Sequence, residues 1–230
     1  MAPSGVPQQR KGLNMLSHQE ARRTYDRIGS LQDSQAFYED RATGVLLRHA
    51  DFASATSVFE FGCGTGRFAQ RLFTEYLSPT ARYRGVDLSP TMVRLARQRL
   101  TAYAPRAEVV LTEGTPPVDA PAAAYDRFVS NYVFDLLSED DIRAVIREAH
   151  RMLRPGGLLC LASLSTGVGP ASRIVTSLWG WVHALQPAVV GGCRPLDLLP
   201  FLPESQWEVR HHAKVVAFAV ASEVIVAQRS

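Results

Sequence analysis

The sequence predicts an α/β fold that is Rossmann-like and doubly wound, with a mostly parallel seven-stranded sheet and a C-terminal antiparallel hairpin. Short apolar runs alternate with helical patterns from residue 57 to about residue 162, which is typical of parallel strands joined by crossover helices. A glycine-rich turn, "EFGCGTGRFA", follows the first apolar run. Near the C-terminus, two strand patterns are separated only by "AFAVA". This link is too short for a crossover helix and predicts an antiparallel pair.

The N-terminal part precedes the sheet. Residues 1–13 are rich in Pro, Gly, Ser and Gln and have no apolar core, so they are predicted as a flexible tail and not as a secretory signal. Residues 14–56 are predicted as a helical cap, and residues 14–230 as a single domain.

The sheet elements then follow in a regular order. Five strands are predicted at residues 57–61, 81–87, 109–111, 125–131 and 158–162. One helix is predicted after the glycine turn, over residues 66–76. Two more begin after Ser89, which is followed by Pro90, and after Ser138, because serine is a preferred N-cap and proline a preferred first helical residue. The sequence "RPGG" ends the last of these helices.

The two final strands are predicted at residues 207–216 and 222–228. Strict alternation would place His211 on the same buried face as Trp207 and would point His212 to solvent. Before this hairpin, residues 166–203 are predicted as a helical insert on the substrate side. Its bulky apolar residues indicate either a roomy cover for a lipophilic or aromatic molecule or a helix that only packs on the sheet; they are Trp179, Trp181, Leu185, Val189 and Val190.

Composition narrows the function. The three cysteines, Cys63, Cys160 and Cys193, are widely spaced without a CxxC pair, which argues against a disulfide framework or zinc site and favours a cytoplasmic location. The arginines that give most of the positive charge are scattered among acids, so no nucleic-acid partner is expected. No apolar run reaches the roughly 20 residues of a membrane span. No metal-ligand cluster stands out, so metal-independent chemistry is expected.

The glycine turn allows two ligands. "GTGRFA" fits the GxGxxA fingerprint of dinucleotide sites, so an NAD(P)-dependent oxidoreductase stays open as an alternative. Glu60, however, stands two residues before the first glycine, where a carboxylate disfavours a pyrophosphate and favours a cationic ligand. Asp87 ends the second strand and suits two ribose hydroxyls in either case.

In combination, these motifs resemble the class I S-adenosylmethionine-dependent methyltransferases. "EFGCGTGRFA" resembles their first motif, "GVDLSPTMV" their second strand and its helix, "YDRFVSNYVFDLL" their fourth strand, and "MLRPGGLL" the turn before their fifth. The N-terminal "YDRIGSLQDSQAFYED" resembles the entry helices of the ubiquinone/menaquinone-biosynthesis (type 11-like) small-molecule enzymes. The cofactor that the resemblance implies is S-adenosyl-L-methionine.

The resemblance also implies which residues bind this cofactor: Tyr25, Tyr38, Glu60, Gly62, Cys63, Gly64, Gly66, Asp87, Leu88, Met92, Glu113, Gly114 and Asn131. Glu60 would act on the ammonium group and Asp87 on the ribose. Leu88 and Met92 would pack near the adenine, although Met92 fits a helix core equally well.

Other implied roles have alternatives. Glu113 or Thr115 would contact the adenine amine. Asn131 would face the methionine end or cap its strand. Tyr25 and Tyr38 would close the pocket or simply pack the N-terminal helices.

The chemistry forces no catalytic residue, because the sulfonium methyl group is already activated and needs chiefly an aligned acceptor. The catalytic residue is therefore left unassigned, with His183 and Asp135 as candidates. The segment after the fourth strand reads "SNYV", not the Pro-Pro-aromatic motif of enzymes that methylate base amines. The expected partner is a small methyl acceptor that offers an O, N or C atom. A non-catalytic cofactor-binding regulator, and an oligomer formed through the insert, stay open.

Overall fold

The computed structural model describes residues 19–20, 22–23, 26, 29, 36–114, 116–167 and 193–230. The predictions for Tyr25, Thr115 and His183, for the apolar residues at 179–190 and for the N-terminal tail lie outside these residues.

Helices and strands alternate along the described chain. The helices are α1 (Ala36–His49), α2 (Arg67–Glu75), α3 (Pro90–Arg99) and α4 (Glu139–Met152). The strands are β1 (Ser57–Phe61), β2 (Arg82–Asp87), β3 (Ala107–Leu111), β4 (Tyr125–Asn131), β5 (Leu153–Leu164), β6 (Trp207–Ala217) and β7 (Val220–Arg229). Short 3-10 turns lie at Phe52–Ser54, Thr101–Tyr103, Phe134–Leu136 and Leu199–Phe201.

These strands form one seven-stranded sheet in the order β3-β2-β1-β4-β5-β7-β6. The first five strands pair in parallel, whereas β7 is antiparallel to both β5 and β6. The strand order reverses between β1 and β4, which places the topological switch point directly beside the glycine turn. The predicted fold class, including the terminal hairpin, is confirmed.

The helices bury apolar stripes on both faces of the sheet. Leu46 of α1, Leu72 of α2 and Ala96 of α3 belong to the core on one face. The α4 stripe packs on the other face and consists of Ile142, Val145, Ile146, Ala149 and Met152. Both predicted serine caps are present. Ser89 Oγ accepts a hydrogen bond from Met92 N at 3.2 Å, and Ser138 Oγ accepts one from Asp141 N at 3.1 Å. Among the described residues, no helix combines the length and apolar composition needed to cross a bilayer.

The predicted strict alternation along β6 is wrong. Val209 pairs with Ala227 but His211 pairs with Val226, so one extra residue, Arg210, forms a bulge. Because side chains alternate with a period of two, one extra residue moves every later side chain to the opposite face. Trp207, which precedes the bulge, packs with the α4 core, whereas the residues after the bulge face the opposite way from the predicted pattern.

The bulge decides where the two histidines of β6 lie. The His211 ring stacks on that of His49 with a centroid distance of 3.6 Å. His212 does not simply point to solvent, because its Nε2 lies 2.7 Å from Oε1 of the buried Glu223.

A buried arginine ties the sheet to the segment that follows α1. Arg127, only 6% exposed on β4, donates from Nε to Ala50 O at 2.6 Å. Its Nη2 donates to Asp51 O at 2.6 Å and to Ser54 Oγ at 2.9 Å. One side chain thus satisfies two carbonyl groups of the connection between α1 and β1.

We predict that Arg127→Ala lowers the free energy of unfolding by about 3 kcal/mol, because two backbone acceptors lose a charged donor that is shielded from water. Urea denaturation followed by circular dichroism would measure the loss. The control is Arg82→Ala at the exposed start of β2, which should change the free energy by less than about 0.5 kcal/mol. Equal effects of the two substitutions would contradict the prediction.

Candidate functional site

A cavity of about 600 Å³ opens at the carboxyl ends of β1, β2 and β4. Its wall combines the glycine turn, the ends of these strands, the segment after β3, the start of α4, and one face each of α1 and α2. In an open α/β sheet this position, beside the switch point, is where ligands bind.

The glycine turn is folded back onto the end of β2. Gly62 N and Cys63 N both donate to Val86 O, at 2.9 and 3.0 Å. Gly64 N donates to Asp87 Oδ2 at 2.9 Å, and Gly66 N donates to Cys63 O at 3.0 Å. Four N–H groups of the turn therefore already have acceptors within the protein.

Two of the glycines are required by space and by backbone conformation. Gly62 has a φ of +75°, and a Cβ atom there would lie 2.3 Å from Val133 Cγ2. Gly66 has a φ of +76°, and its Cβ would lie 3.1 Å from the Ala96 backbone. Gly62 lines the cavity, whereas Gly66 lets α2 approach α3 closely and is not among the lining residues.

Glu60 lies in the cavity wall and is only 2% exposed. Burial raises the pKa of its carboxyl group to about 8, although hydrogen bonding from Tyr83 and an interaction with Asn131 act in the opposite direction. The Tyr83 hydroxyl donates to Oε2 at 2.6 Å. Within the described residues no basic side chain forms an ion pair with it. At neutral pH, and without a cation beside it, Glu60 therefore carries a proton for most of the time.

Asp87 forms a second acidic group in the wall. Its two carboxylate oxygens accept hydrogen bonds from Gly64 N and Ser89 N, both at 2.9 Å. Burial raises the pKa of Asp87, and these backbone donors partly offset the increase. Each oxygen keeps a second lone pair for a ligand.

Asn131 ends β4 and lines the cavity next to Glu60. Its side-chain nitrogen and oxygen are both buried, and apart from a loose interaction with Glu60 neither has a well-formed hydrogen bond to another described residue. Buried amides nearly always have partners, so these two atoms mark a place where a ligand would supply them. Tyr132, the next residue, also lines the cavity. Tyr38 packs edge-on against Tyr132 with 5.7 Å between the ring centroids, but it does not itself line the cavity.

The predicted adenine contacts divide into two groups. Leu88, Met92 and Gly114 line the cavity, with Met92 only 1% exposed. Glu113 is exposed and is not among the lining residues. Cys63 lines the wall as a thiol, because burial raises its pKa well above the usual range.

Sequence reasoning missed a large part of the wall. Thr43 of α1, Thr112 after β3 and Leu136 after β4 line the cavity. So does a polar stripe on one face of α2: Arg67, Gln70, Arg71, Thr74 and Glu75. The spacing of three and four residues on a helix beside the glycine turn was the available signal.

Asp135, the catalytic candidate among the described residues, lies outside the cavity wall. Asp135 is fully buried, and burial raises its pKa to about 6. Its Oδ1 accepts a hydrogen bond from Ser163 Oγ at 3.3 Å, and it is not among the residues that line the cavity. Within the described ranges, no group of three or more His, Cys, Asp or Glu side chains could hold a metal ion.

Fold and cavity together define a Rossmann-like α/β domain with a cofactor-type cavity at its switch point. Residues 58–157 match the sequence family described as "Methyltransferase domain". The chain contains a class I S-adenosylmethionine-dependent methyltransferase domain, as its motifs predicted.

Individual relatives agree with this assignment. The chain is 34% identical over 119 residues to a carboxy-S-adenosyl-L-methionine synthase of Chromohalobacter salexigens, and this alignment covers 51% of this chain and 43% of that protein. It is 32% identical over 161 residues to a trans-aconitate 2-methyltransferase of Azoarcus sp., and this alignment covers 70% of this chain and 58% of that protein. The chain thus spans about half the length of these curated relatives. The solved structure of the [4+2]-cyclase SpnF superposes with a TM-score of 0.71 over 95% of this chain and 99% of that one; at 16% identity it shows the fold alone.

We predict that Glu60 makes stability depend on pH. Its folded pKa of about 8 lies above its usual value of 4.5, so the folded state holds a proton that the unfolded state releases. This contribution is present below about pH 4.5 and is lost as the pH rises through 8. Relative to Glu60→Gln, the wild-type free energy of unfolding should fall by up to about 1.4 kcal/mol per pH unit between pH 5.5 and 7.5.

Urea titrations of the two proteins at pH 5.5, 6.5 and 7.5 would measure this difference. Because the glutamine side chain of the variant keeps an acceptor for the Tyr83 hydroxyl, the comparison isolates ionisation. A difference that stays constant over this pH range would contradict the prediction.

Proposed function

We propose that this protein is a methyltransferase that moves the methyl group of S-adenosylmethionine to an O, N or C atom of a small acceptor. One observation carries the proposal. Four N–H groups of the glycine turn are already bonded within the protein, while two buried acids, Glu60 and Asp87, line the cavity without a basic partner among the described residues. Such a cavity suits a cofactor that brings its own positive charge.

This observation bears directly on the dinucleotide alternative. A pyrophosphate binds to free backbone N–H groups at the turn and the helix that follows it. Here Gly64 N and Gly66 N, both within the fingerprint segment, already donate to Asp87 and Cys63. A phosphate would also lie beside the acids Glu60 and Asp87, which offer it no positive charge, so an oxidoreductase has less support than a methyltransferase.

Electrostatics supports a cationic ligand at Glu60. An ammonium group beside this buried carboxyl would stabilise its charged form and lower its pKa from about 8. Binding would then release a proton and create an ion pair in a site shielded from water. The unpartnered amide of Asn131 would supply further hydrogen bonds to the methionine end.

The rest of the cofactor follows the strand ends. Asp87 would accept hydrogen bonds from the ribose hydroxyls through its remaining lone pairs. Leu88 and Met92 would flank the adenine, with Thr112 and Gly114 on the far side. The exposed Glu113 is less well placed for the adenine amine than these wall residues.

The chemistry needs alignment more than it needs acid or base catalysis. Holding the acceptor in line with the sulfonium methyl group supplies roughly 7–11 kcal/mol of the barrier, and no residue is assigned as a base. The trans-aconitate named for the Azoarcus relative is a small molecule, which supports an acceptor of this kind. We further propose a cytoplasmic location, supported by the three cysteines, none of which forms a disulfide bond within the described residues. A role of residues 166–203 in oligomerisation stays a prediction.

We predict that S-adenosylhomocysteine binds the protein and that NADH does not, because only the first ligand offers an ammonium group without phosphate. Isothermal titration calorimetry at pH 7.5 would measure both. Incubation of a small-molecule cell extract with the protein and methyl-labelled S-adenosylmethionine should then give a labelled product, identified by mass.

Glu60→Gln serves as the matched control, since it keeps the shape of the site but cannot form the ion pair. Tight binding of NADH alone would overturn the proposal. Binding of S-adenosylhomocysteine without a labelled product in any extract would instead favour a non-catalytic regulator.

We also predict that Asp87→Ala weakens binding of S-adenosylhomocysteine about 100-fold, because charge-assisted hydrogen bonds to the ribose are lost and the turn loses its anchor at Gly64. The 2′,3′-dideoxy analogue separates these two causes. It should bind wild-type protein more weakly than S-adenosylhomocysteine, and Asp87→Ala should remove that difference. If Asp87→Ala still distinguishes the two ligands, Asp87 does not hold the ribose.

A further inference from the structure

The cavity wall has two basic side chains within the described residues, Arg67 and Arg71. Arg67 is the first residue of α2 and directly follows the last glycine of the turn. Arg71 lies one helical turn farther from the glycine turn, and its Nε already donates to Glu75 Oε2 at 3.0 Å. The basic group nearest in sequence to the turn is therefore Arg67.

Arg67 keeps N–H donors that its contacts with Asp40 do not use. Its Nη2 lies 2.6 Å from both carboxylate oxygens of Asp40 on α1. These contacts use Nη2 alone, so Nη1 and Nε remain available for a second anion. The Arg67 side chain is 40% exposed and that of Asp40 48%, so the pair is a weak clamp that leaves the guanidinium accessible from the cavity.

A zwitterionic ligand needs such a group. An amino acid moiety whose ammonium lies at Glu60 carries a carboxylate on the same carbon atom. The backbone of the turn offers that carboxylate little, because the N–H groups of Gly62, Cys63, Gly64 and Gly66 already have acceptors. An uncompensated carboxylate beside Glu60 and Asp87 would be repelled, so a cation in the cavity wall would stabilise it.

We propose that Arg67 binds the carboxylate of the amino acid moiety of the cofactor and thereby sets the selectivity of the site for zwitterionic ligands. This inference rests on the proposed function and deepens it. The guanidinium fork matches a carboxylate, and the contact with Asp40 holds it loosely toward α1. Glu60 and Arg67 thus act on the two opposite charges of one ligand. The ion pair between Arg67 and Asp40 also joins α2 to α1.

The test compares two ligands that differ only in the carboxylate. They are S-adenosylhomocysteine and its decarboxylated analogue, which keeps the ammonium, thioether and adenosine groups. Arg67→Gln should weaken binding of S-adenosylhomocysteine about 10- to 100-fold, the range for a charge-assisted hydrogen-bond pair. The analogue should lose less than about twofold, since it makes no contact with this side chain.

Arg67→Glu provides a second variant, so that the test does not depend on a single substitution. A carboxylate at this position repels the ligand carboxylate, so the analogue should now bind more tightly than S-adenosylhomocysteine. The control is Arg94→Gln, which removes an exposed arginine of α3 outside the cavity wall and should leave both affinities unchanged.

The outcomes are distinct. If wild-type protein binds S-adenosylhomocysteine but neither Arg67 variant changes its preference over the analogue, this assignment is overturned and the proposed function stands. The assignment of Arg67 is likewise overturned if Arg67→Gln weakens binding of both ligands equally. If wild-type protein binds neither ligand, the proposed function falls and the assignment of Arg67 falls with it.

Discussion

The site depends on one constraint, which is that the end of β2 holds the glycine turn. Val86 O accepts hydrogen bonds from two residues of the turn, and the Asp87 carboxylate accepts a third. The parallel register that pairs Glu60 with Gly85 and Phe61 with Val86 brings these groups together. A shift of one residue would turn the side chains of β1 to the opposite faces and would remove Glu60 from the cavity.

Gly85 shows how tightly this arrangement is fitted. A Cβ atom there would lie 2.5 Å from the Tyr83 hydroxyl oxygen and 2.9 Å from Cys63 Cβ. The missing side chain makes room for the Tyr83 hydroxyl to reach Glu60, and it makes room for Cys63 in the turn. The same glycine therefore permits both the turn and the hydrogen bond to the buried acid. Since that acid is protonated at neutral pH unless a cation lies beside it, its charge becomes available when a cation binds, which avoids the cost of a permanently buried, unpaired carboxylate.

The sequence predicts the parts of this protein that follow local rules and misses those set by neighbours. Ser89 and Ser138 cap helices as their position indicates, because capping is decided within four residues. Asp87 lies in the cavity wall because parallel strands end at the same edge of the sheet. The bulge at Arg210 had no local signal, since β6 alternates well in either register and its pairing with β7 decides the outcome. The polar stripe of α2 resembled an ordinary solvated face, and only the placement of α1 and the turn makes it part of a wall.

The bulge also explains how the sheet edge supports the segment between β5 and β6. Because it reverses the faces of β6, Lys214 reaches Asp197 with a distance of 2.7 Å between Nζ and Oδ1. Asp197 also accepts hydrogen bonds from Ser165 and Thr166, both at 2.9 Å, so residues from both ends of the segment meet at one carboxylate. Glu223 of β7 adds contacts to Leu198 N and His212 on the same face. Without the extra residue, His212 and Lys214 would lie on the α1 face, so that Asp197 would lose its contact with Lys214 and Glu223 its contact with His212. The irregular strand therefore fixes Thr166 and Asp197, which lie near the two ends of the segment 166–203 that is predicted on the acceptor side.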